Sequence, residues 1–337
     1  MIHKDLPFID LHRHLDGSIR LETILDLGRN HNLPLPSFNI EELRPHVQVV
    51  TPQPGVMEFI AKFKWMVGVL VDYDACRRVA FENVVDAEKE GIDYIELRFS
   101  PWFMSKPHNL DPAGVVASIV EGLEEARKTT QTKVNLIGII SRTFGPEIGL
   151  LELKALLSYK NDLVGLDLAG DEANFPPSLF KEHFLAGRDA GWNVTVHAGE
   201  AAGAESVWQS ILLLGATRIG HAVRIDEDPK LIDYMLDNHI GIEANLTSNF
   251  QTSTVPDLSK HPLKSWLGKG LLATINTDDP GISNIDLPHE FNIAAKLAGL
   301  NNSLTRLAQK NALEIAFLSK DEKEQLKKGY GEGKLMV

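Results

Sequence analysis

The sequence predicts an α/β fold: a (β/α)8 TIM-type barrel with a helical segment inserted between strands 1 and 2 and extra C-terminal helices. Three observations predict it. Eight short apolar runs recur along the 337 residues, each suited to burial on both faces, as parallel strands require. Amphipathic stretches of helical length separate them, and eight such alternations specify a parallel sheet closed into a barrel. No Gly-rich dinucleotide fingerprint follows any strand, which disfavours the alternative, an open doubly wound sheet. With no solenoid repeat and no low-complexity linker, residues 1–337 read as one domain.

Strand 1 is the run Phe8 to Leu11, which leads straight into His12-Arg13-His14 and a turn at Gly17. A helical pattern follows from Arg20 to Asn30, with Leu21, Ile24, Leu25 and Leu27 on one face. Pro34, Pro36, Pro45, Pro52 and Pro54 punctuate a long connection. An amphipathic helix is then expected over Val56 to Leu70, and another over Tyr73 to Glu90. Phe59, Phe63, Trp65 and Met66 read as packing residues of the first of these. An insertion this long often walls or lids a site.

Strand 2 is Tyr94 to Phe99. Helix Pro112–Lys128 precedes strand 3 (Val134–Ile140), Gly149–Tyr159 precedes strand 4 (Leu163–Leu168), and Pro177–Ala190 precedes strand 5 (Asn193–His197). Ala204–Leu214 precedes strand 6 (Arg218–His221), Pro229–Asn238 precedes strand 7 (Ile240–Ala244), and Leu263–Lys269 precedes strand 8 (Leu272–Asn276). Helices over His289–Leu297, Ser303–Leu318 and Lys320–Lys328 finish the chain, and the three-glycine tail Gly329–Val337 is expected to fray.

Composition narrows the function. A net charge of −12 argues against a phosphate-backbone binder, whose affinity rests on Lys and Arg. Cys76 is the only cysteine, which excludes disulfides within the chain, Cys-based zinc sites and the Cys-x-x-Cys zinc deaminases. No apolar leader and no run of about 20 apolar residues is present, so the expected compartment is the cytoplasm and no membrane partner is expected. No obligate protein partner is evident.

In a barrel the polar residues at strand C-termini carry the chemistry. In order these are His12 and His14; Arg98 and Ser100; Ser141 and Arg142; Gly170, Asp171 and Glu172; His197 and Glu200; His221; Asn245 to Thr252; and Thr277, Asp278 and Asp279. Each has a plainer reading. His12 and His14 share one strand face roughly 7 Å apart, yet so do titrating histidines on any surface strand. His197 and His221 fit rim or core histidines. Glu200 fits a carboxylate in a helix's first turn. Asp278-Asp279-Pro280 fits an N-cap followed by Pro, Asp171 and Glu172 fit turn carboxylates, and Gly170 fits backbone freedom.

Taken together the plainer readings fare poorly, because histidines and carboxylates gather at one end of one barrel. One metal held by His12, His14, His197 and Asp278 leaves an open position for water, and open-site zinc lowers that water's pKa toward about 7. His221 can take or orient the water proton and Glu200 can protonate the substrate. That constellation specifies metal-assisted hydrolysis and says nothing of the substrate.

At these residues the chain resembles the adenosine deaminases of the bacterial cytosolic type, within the metal-dependent amidohydrolase superfamily. The matching segments run in family order across nearly the whole chain: Asp10-Leu-His-Arg-His-Leu-Asp-Gly17, Leu168-Ala-Gly-Asp-Glu172, Thr195-Val-His-Ala-Gly-Glu200, Arg218-Ile-Gly-His221, Leu246-Thr-Ser-Asn249 and Asn276-Thr-Asp-Asp-Pro280. The resemblance implies one Zn2+ per chain on His12, His14, His197 and Asp278, and a small purine nucleoside as partner. It further implies that Glu200 protonates N1 while hydroxide attacks C6, and that His221 positions and deprotonates the water. Asp279 bonds N7 and helps hold the water, the Gly170 N–H meets N3, and Asp16 meets the ribose 5′-hydroxyl. Adenosine and its 2′-deoxy analogue then give inosine or deoxyinosine and ammonia.

Two positions depart from the pattern: Ala222, where many relatives carry Gly, and Asn245-Leu246, where many carry Cys-Pro. The nearest rival is an adenine or AMP deaminase of the same fold; related adenine deaminases tend to carry Glu in place of Asp16, and nothing marks Arg13, Arg98 or Arg142 as a phosphate clamp. A non-catalytic secreted relative is disfavoured by the intact residue set. A two-metal amidohydrolase is disfavoured because Leu163 to Gly170 contains no Lys.

Overall fold

A computed structural model describes residues 1–331. Eight parallel strands stand in sequential order: β1 (Ile9–His14), β2 (Tyr94–Phe99), β3 (Lys133–Ser141), β4 (Leu163–Ala169), β5 (Asn193–Ala198), β6 (Arg218–His221), β7 (Gly241–Ala244) and β8 (Leu272–Ile275). Sequential order with helices between strands is the barrel, and the open-sheet alternative falls. The ring closes just beyond β8. Asp278 N donates to His12 O at 2.7 Å and His14 N donates to Asp278 O at 2.8 Å, so a candidate metal ligand also seals the barrel.

A bulge in β1 sets what the barrel encloses. Ile9 pairs with Tyr94 and His14 with Arg98, and the register slips by one residue between Asp10 and Arg13. Tyr94 and Arg98 both point inward, so the extra residue lets Ile9 and Leu11 line the barrel's floor while His12 and His14 line its upper half. The floor is apolar: Ile9, Leu11 and Tyr94 pack against Ala312, Leu313, Ala316 and Leu326 of the C-terminal segment. Of the tail expected to fray, Gly329–Gly331 complete the helix Lys320–Gly331, and the rest lies outside the described residues.

Above the floor the interior is charged, which apolar strand runs did not predict. Glu96 pairs with Arg218, Arg218 Nε lies 2.7 Å from Glu243 Oε1, and Arg98 bridges Glu243 and Asp167 at 2.9 Å each. All five are fully buried or within 1% of it. Such groups persist in a low-dielectric interior only when every charge is paired.

The insertion is a wall. Its helices are Leu21–Asn30, Ile40–Val47, Val56–Ile60, Phe63–Val67 and Tyr73–Lys89. Ile40–Val47 was not expected, because prolines were read as punctuation. Asn39 Oδ1 caps it by accepting from the N–H of Glu41 and Glu42, Leu43 and Val47 are buried, and Pro45 falls late in the helix. The single helix expected over Val56–Leu70 is two short ones. At the break Lys62 N turns to Phe59 O, and Lys62 Nζ donates to Pro45 O. Val49 N to Ile282 O and Gln53 N to Gln251 O tie the wall to the segments after β7 and β8. Among the described residues no helix is long and apolar enough to cross a membrane.

Candidate active site

The strand C-termini open into a cleft enclosing about 760 Å³, the open space at its mouth included. His14, Asp16, Gly170, His197, Glu200, His221, Asp278 and Asp279 all line it. His12 lies just beneath, in contact with His14, His197 and His221. The residues given a ligand, acid, water-orienting or substrate-contact role are thus brought to one place.

Four donor atoms converge. His12 Nε2 and His14 Nε2 each lie 3.1 Å from His197 Nε2, and Asp278 Oδ1 lies 3.1 Å from His12 Nε2 and 3.3 Å from His14 Nε2. Metal–nitrogen bonds of 2.0–2.1 Å give tetrahedral edges of about 3.3 Å. The protons lie on the far sides of the rings. His12 Nδ1 donates to Glu243 Oε2 at 2.7 Å and His197 Nδ1 to Asp167 at 3.0 Å. Burial pulls the His197 pKa down to about 4, so the ring is neutral. The facing Nε2 lone pairs repel one another unless a cation lies between them, and the carboxylates behind the rings are the usual supports of metal-bound histidine.

The charge balance agrees. Arg98 and Arg218 pair with Glu96, Asp167 and Glu243, while Asp278 meets only histidines, so the four buried carboxylates of this cluster carry two negative charges beyond its two arginines. A divalent cation neutralises them. Among the described residues the donor atoms of His12, His197, His221 and Asp278 lie within 4.8 Å of one another, as do those of His14, Asp278 and Asp279. His221 and Asp279 therefore flank the tighter four; His221 Nε2 is 3.8 Å from Asp278 Oδ2.

The carboxyls across the cleft behave differently. Burial, reinforced by Asp278 and Glu172, pushes Glu200 well above the usual carboxylate range. Burial likewise raises Asp279, and it raises Asp16 to about 6. Asp16 Oδ1 and Asp279 Oδ1 are buried without a hydrogen-bond partner, the former 3.9 Å from His14 Nδ1, the state expected of groups that await a ligand's polar atoms. Gly170 has φ +113°, and a Cβ there would sit 2.3 Å from Thr143 Oγ1, so the strand 4 turn requires glycine.

Some partners were not legible. Glu172, read as a turn carboxylate, accepts the N–H groups of Gly199, Glu200, Ala201 and Ala202 at 2.7–3.1 Å and so fixes the loop that carries Glu200. Asp171 is the turn residue, accepting from Asn174 N and Nδ2. Phe59 and Phe63 pack as expected and also line the cleft, with Val56 and Ile60; Trp65 and Met66 do not line it. Of the two departures, Ala222 holds φ +58°, a left-handed conformation that costs an L-residue about 1–2 kcal/mol. Asn245 Nδ2 lies 3.4 Å from His221 Nδ1.

Gly220 carries a signal in its missing side chain, since a Cβ there would lie 2.8 Å from His12 Cε1. Gly220→Ala is expected to cost about 1–3 kcal/mol by overpacking and to weaken metal binding by displacing His12. Denaturant unfolding and metal competition measure the two effects; unchanged metal affinity would mean that the ring tolerates the methyl group.

Comparison with known proteins agrees with this geometry. The family model described as "Adenosine deaminase" matches residues 7–330. An adenosine deaminase of Vibrio parahaemolyticus is 56% identical over 327 residues, 97% of this chain and 98% of the relative. Among solved structures, an adenine deaminase from Arthrobacter aurescens superposes with a TM-score of 0.89 at 23% identity, covering 96% of this chain and 98% of its own. An amidohydrolase from Burkholderia ambifaria with bound Zn has a TM-score of 0.87 at 23% identity, covering 97% and 90%. At that identity the two structures speak for the fold, whereas the family model and the close relative decide descent: the chain belongs to the adenosine deaminase family.

Proposed function

We infer that the chain hydrolyses adenosine, and its 2′-deoxy analogue, to the inosine nucleoside and ammonia. One observation carries the reading: a buried carboxylic acid, Glu200, faces the convergent His12, His14, His197 and Asp278 across the cleft. Zinc is the ion we assign to that set, since three imidazoles, one carboxylate and an open position are a catalytic zinc site. A divalent ion held there supplies Lewis acidity, the chemistry that brings water's pKa toward about 7.

The chain's own groups do the rest. Glu200, kept protonated by burial, gives its proton to purine N1 and makes C6 electrophilic as water adds. His221 and Asp279, on either side of the four donors, orient the water; Asp279 also reaches N7. Gly170 N–H meets N3, and the unpartnered Asp16 Oδ1 receives the 5′-hydroxyl. Collapse of the tetrahedral adduct passes the C6 hydroxyl proton to the departing amine, expels ammonia and leaves the C6 carbonyl of inosine, while the proton released from the attacking water restores the acid form of Glu200.

A 5′-phosphate finds no clamp. No Lys or Arg is among the described residues that line the cleft. Arg13 pairs with Asp10 and Glu90, Arg98 is committed inside the barrel, and Arg142 bonds the carbonyls of Leu168 and His197. The test is an ultraviolet assay of the purified protein with adenosine, adenine and AMP in parallel, before and after chelation. Turnover of adenosine alone, lost on chelation and restored by zinc, is expected. Turnover of adenine or AMP instead would keep the mechanism and move the substrate.

A further inference from the structure

His221 touches the cleft with one ring nitrogen and the protein with the other, and the protein side fixes where its proton sits. The starting point is a backbone amide, which can only donate. Leu263 N–H donates to His261 Nδ1 at 3.1 Å. His261 is buried, and burial lowers its pKa to about 3, so its ring is neutral and carries one N–H. With Nδ1 accepting, that N–H must be on Nε2.

His261 Nε2 lies 3.2 Å from Asn249 Oδ1 and donates to it. The orientation of the Asn249 amide is thereby set, with its NH2 on the opposite side. That nitrogen lies 2.9 Å from His221 Nδ1 and 3.4 Å from Glu200 Oε1. A second amide nitrogen, of Asn245, faces the same His221 Nδ1 at 3.4 Å. The Thr252 hydroxyl also donates to Glu200 Oε1, at 3.4 Å. Two amide donors thus face Nδ1 of His221, the nearer at 2.9 Å, inside the 3.5 Å to Glu200 Oε1, and Oε1 of Glu200 is the oxygen on which the Asn249 and Thr252 donors converge.

We propose that His261, acting through the amide of Asn249, holds His221 as the tautomer protonated on Nε2 and places the acid proton of Glu200 on Oε2. One amide then dictates the position of two protons. His221 presents an N–H to the cleft and orients the water by donating to its oxygen, a different task from the deprotonation that the family resemblance implied. Glu200 turns its O–H toward the purine because its other oxygen is occupied. Asn249 and His261 touch neither substrate nor metal in this scheme; they are positioning residues. The proposal rests on the deaminase reading, and its test separates the two.

The test is a two-bond 15N–1H correlation spectrum of the zinc-loaded, histidine-labelled enzyme, with His221 assigned by its loss in His221→Gln. The wild type is expected to show His221 protonated on Nε2 and bare on Nδ1. In Asn249→Asp, which places a carboxylate oxygen where Nδ2 was, the two signals are expected to exchange. Its kcat is expected to fall about 10²-fold, within the span of misplaced acid–base groups, with KM for adenosine little changed. A wild type that forms inosine while His221 is protonated on Nδ1 overturns this proposal, and the wild-type spectrum decides it even if the variant fails to fold. A wild type with the expected tautomer that forms no inosine overturns the deaminase reading instead.

Discussion

Glu200→Gln is expected to lower kcat for adenosine by about 10²–10⁴-fold, the span of a lost general acid, while KM, metal content and melting temperature stay close to wild type. The size follows from what the group is asked to do. Attack at C6 places charge on the purine ring, and a proton on N1 absorbs it. Glutamine has the shape of glutamic acid and an N–H to point at N1, but no proton to transfer. The acid form is available at neutral pH because burial, then Asp278, Glu172 and Asp279, disfavour the anion. The carboxyl also stands outside the convergent four, so its replacement leaves their geometry alone. Steady-state kinetics with metal analysis checks this. Loss of bound metal along with turnover would assign Glu200 a structural task, and wild-type turnover would remove it from the chemistry.

The second large effect is expected deeper in the barrel. Glu243 accepts from His12 Nδ1 at 2.7 Å, Arg98 at 2.9 Å and Thr195 Oγ1 at 2.8 Å, with Arg218 Nε at 2.7 Å. Glu243→Gln puts an NH2 among donors and leaves Arg98 with Asp167 alone and Arg218 with Glu96 alone. Breaking buried pairing of this kind costs about 3–5 kcal/mol. Removing the carboxylate behind a metal-bound histidine lowers metal affinity about 10–100-fold. Both losses are expected together: denaturant unfolding of the chelated protein reports the first, and competition with a zinc indicator the second. A variant that loses stability yet binds metal like the wild type would show that His12 keeps its orientation without Glu243.

The barrel and its reactive rim were legible because both are written locally. Tyr94–Phe99 and Arg218–His221 lie where the sequence placed strands, as short apolar runs between turn residues. The convergence of His12, His14, His197 and Asp278 was legible because each lies near or just beyond the C-terminal end of a strand, so the topology alone carries them to one rim. What lay hidden is held by contacts between distant residues. Glu172 takes up backbone amides about 28 positions away, and nothing in Gly170-Asp171-Glu172 distinguishes its task from that of Asp171. Glu96, Arg98, Asp167, Arg218 and Glu243 sit singly among apolar neighbours, and their pairing exists only once the strands stand side by side. The helix Ile40–Val47 was missed because a proline outweighed a sound cap at Asn39. The double role of Phe59 and Phe63 depends on which way the wall leans.

The bulge in β1 separates two demands that an unbroken strand would bind together. Residues 9 and 11 answer to closing the floor, and residues 12 and 14 answer to the chemistry; the extra residue resets the phase between them. A redesigned ligand set can therefore be written at positions 12 and 14 without rewriting the floor. A strand of the same length without the bulge would keep residues 9 and 11 inward and turn both imidazoles toward the outer helices, while every other strand stayed in register.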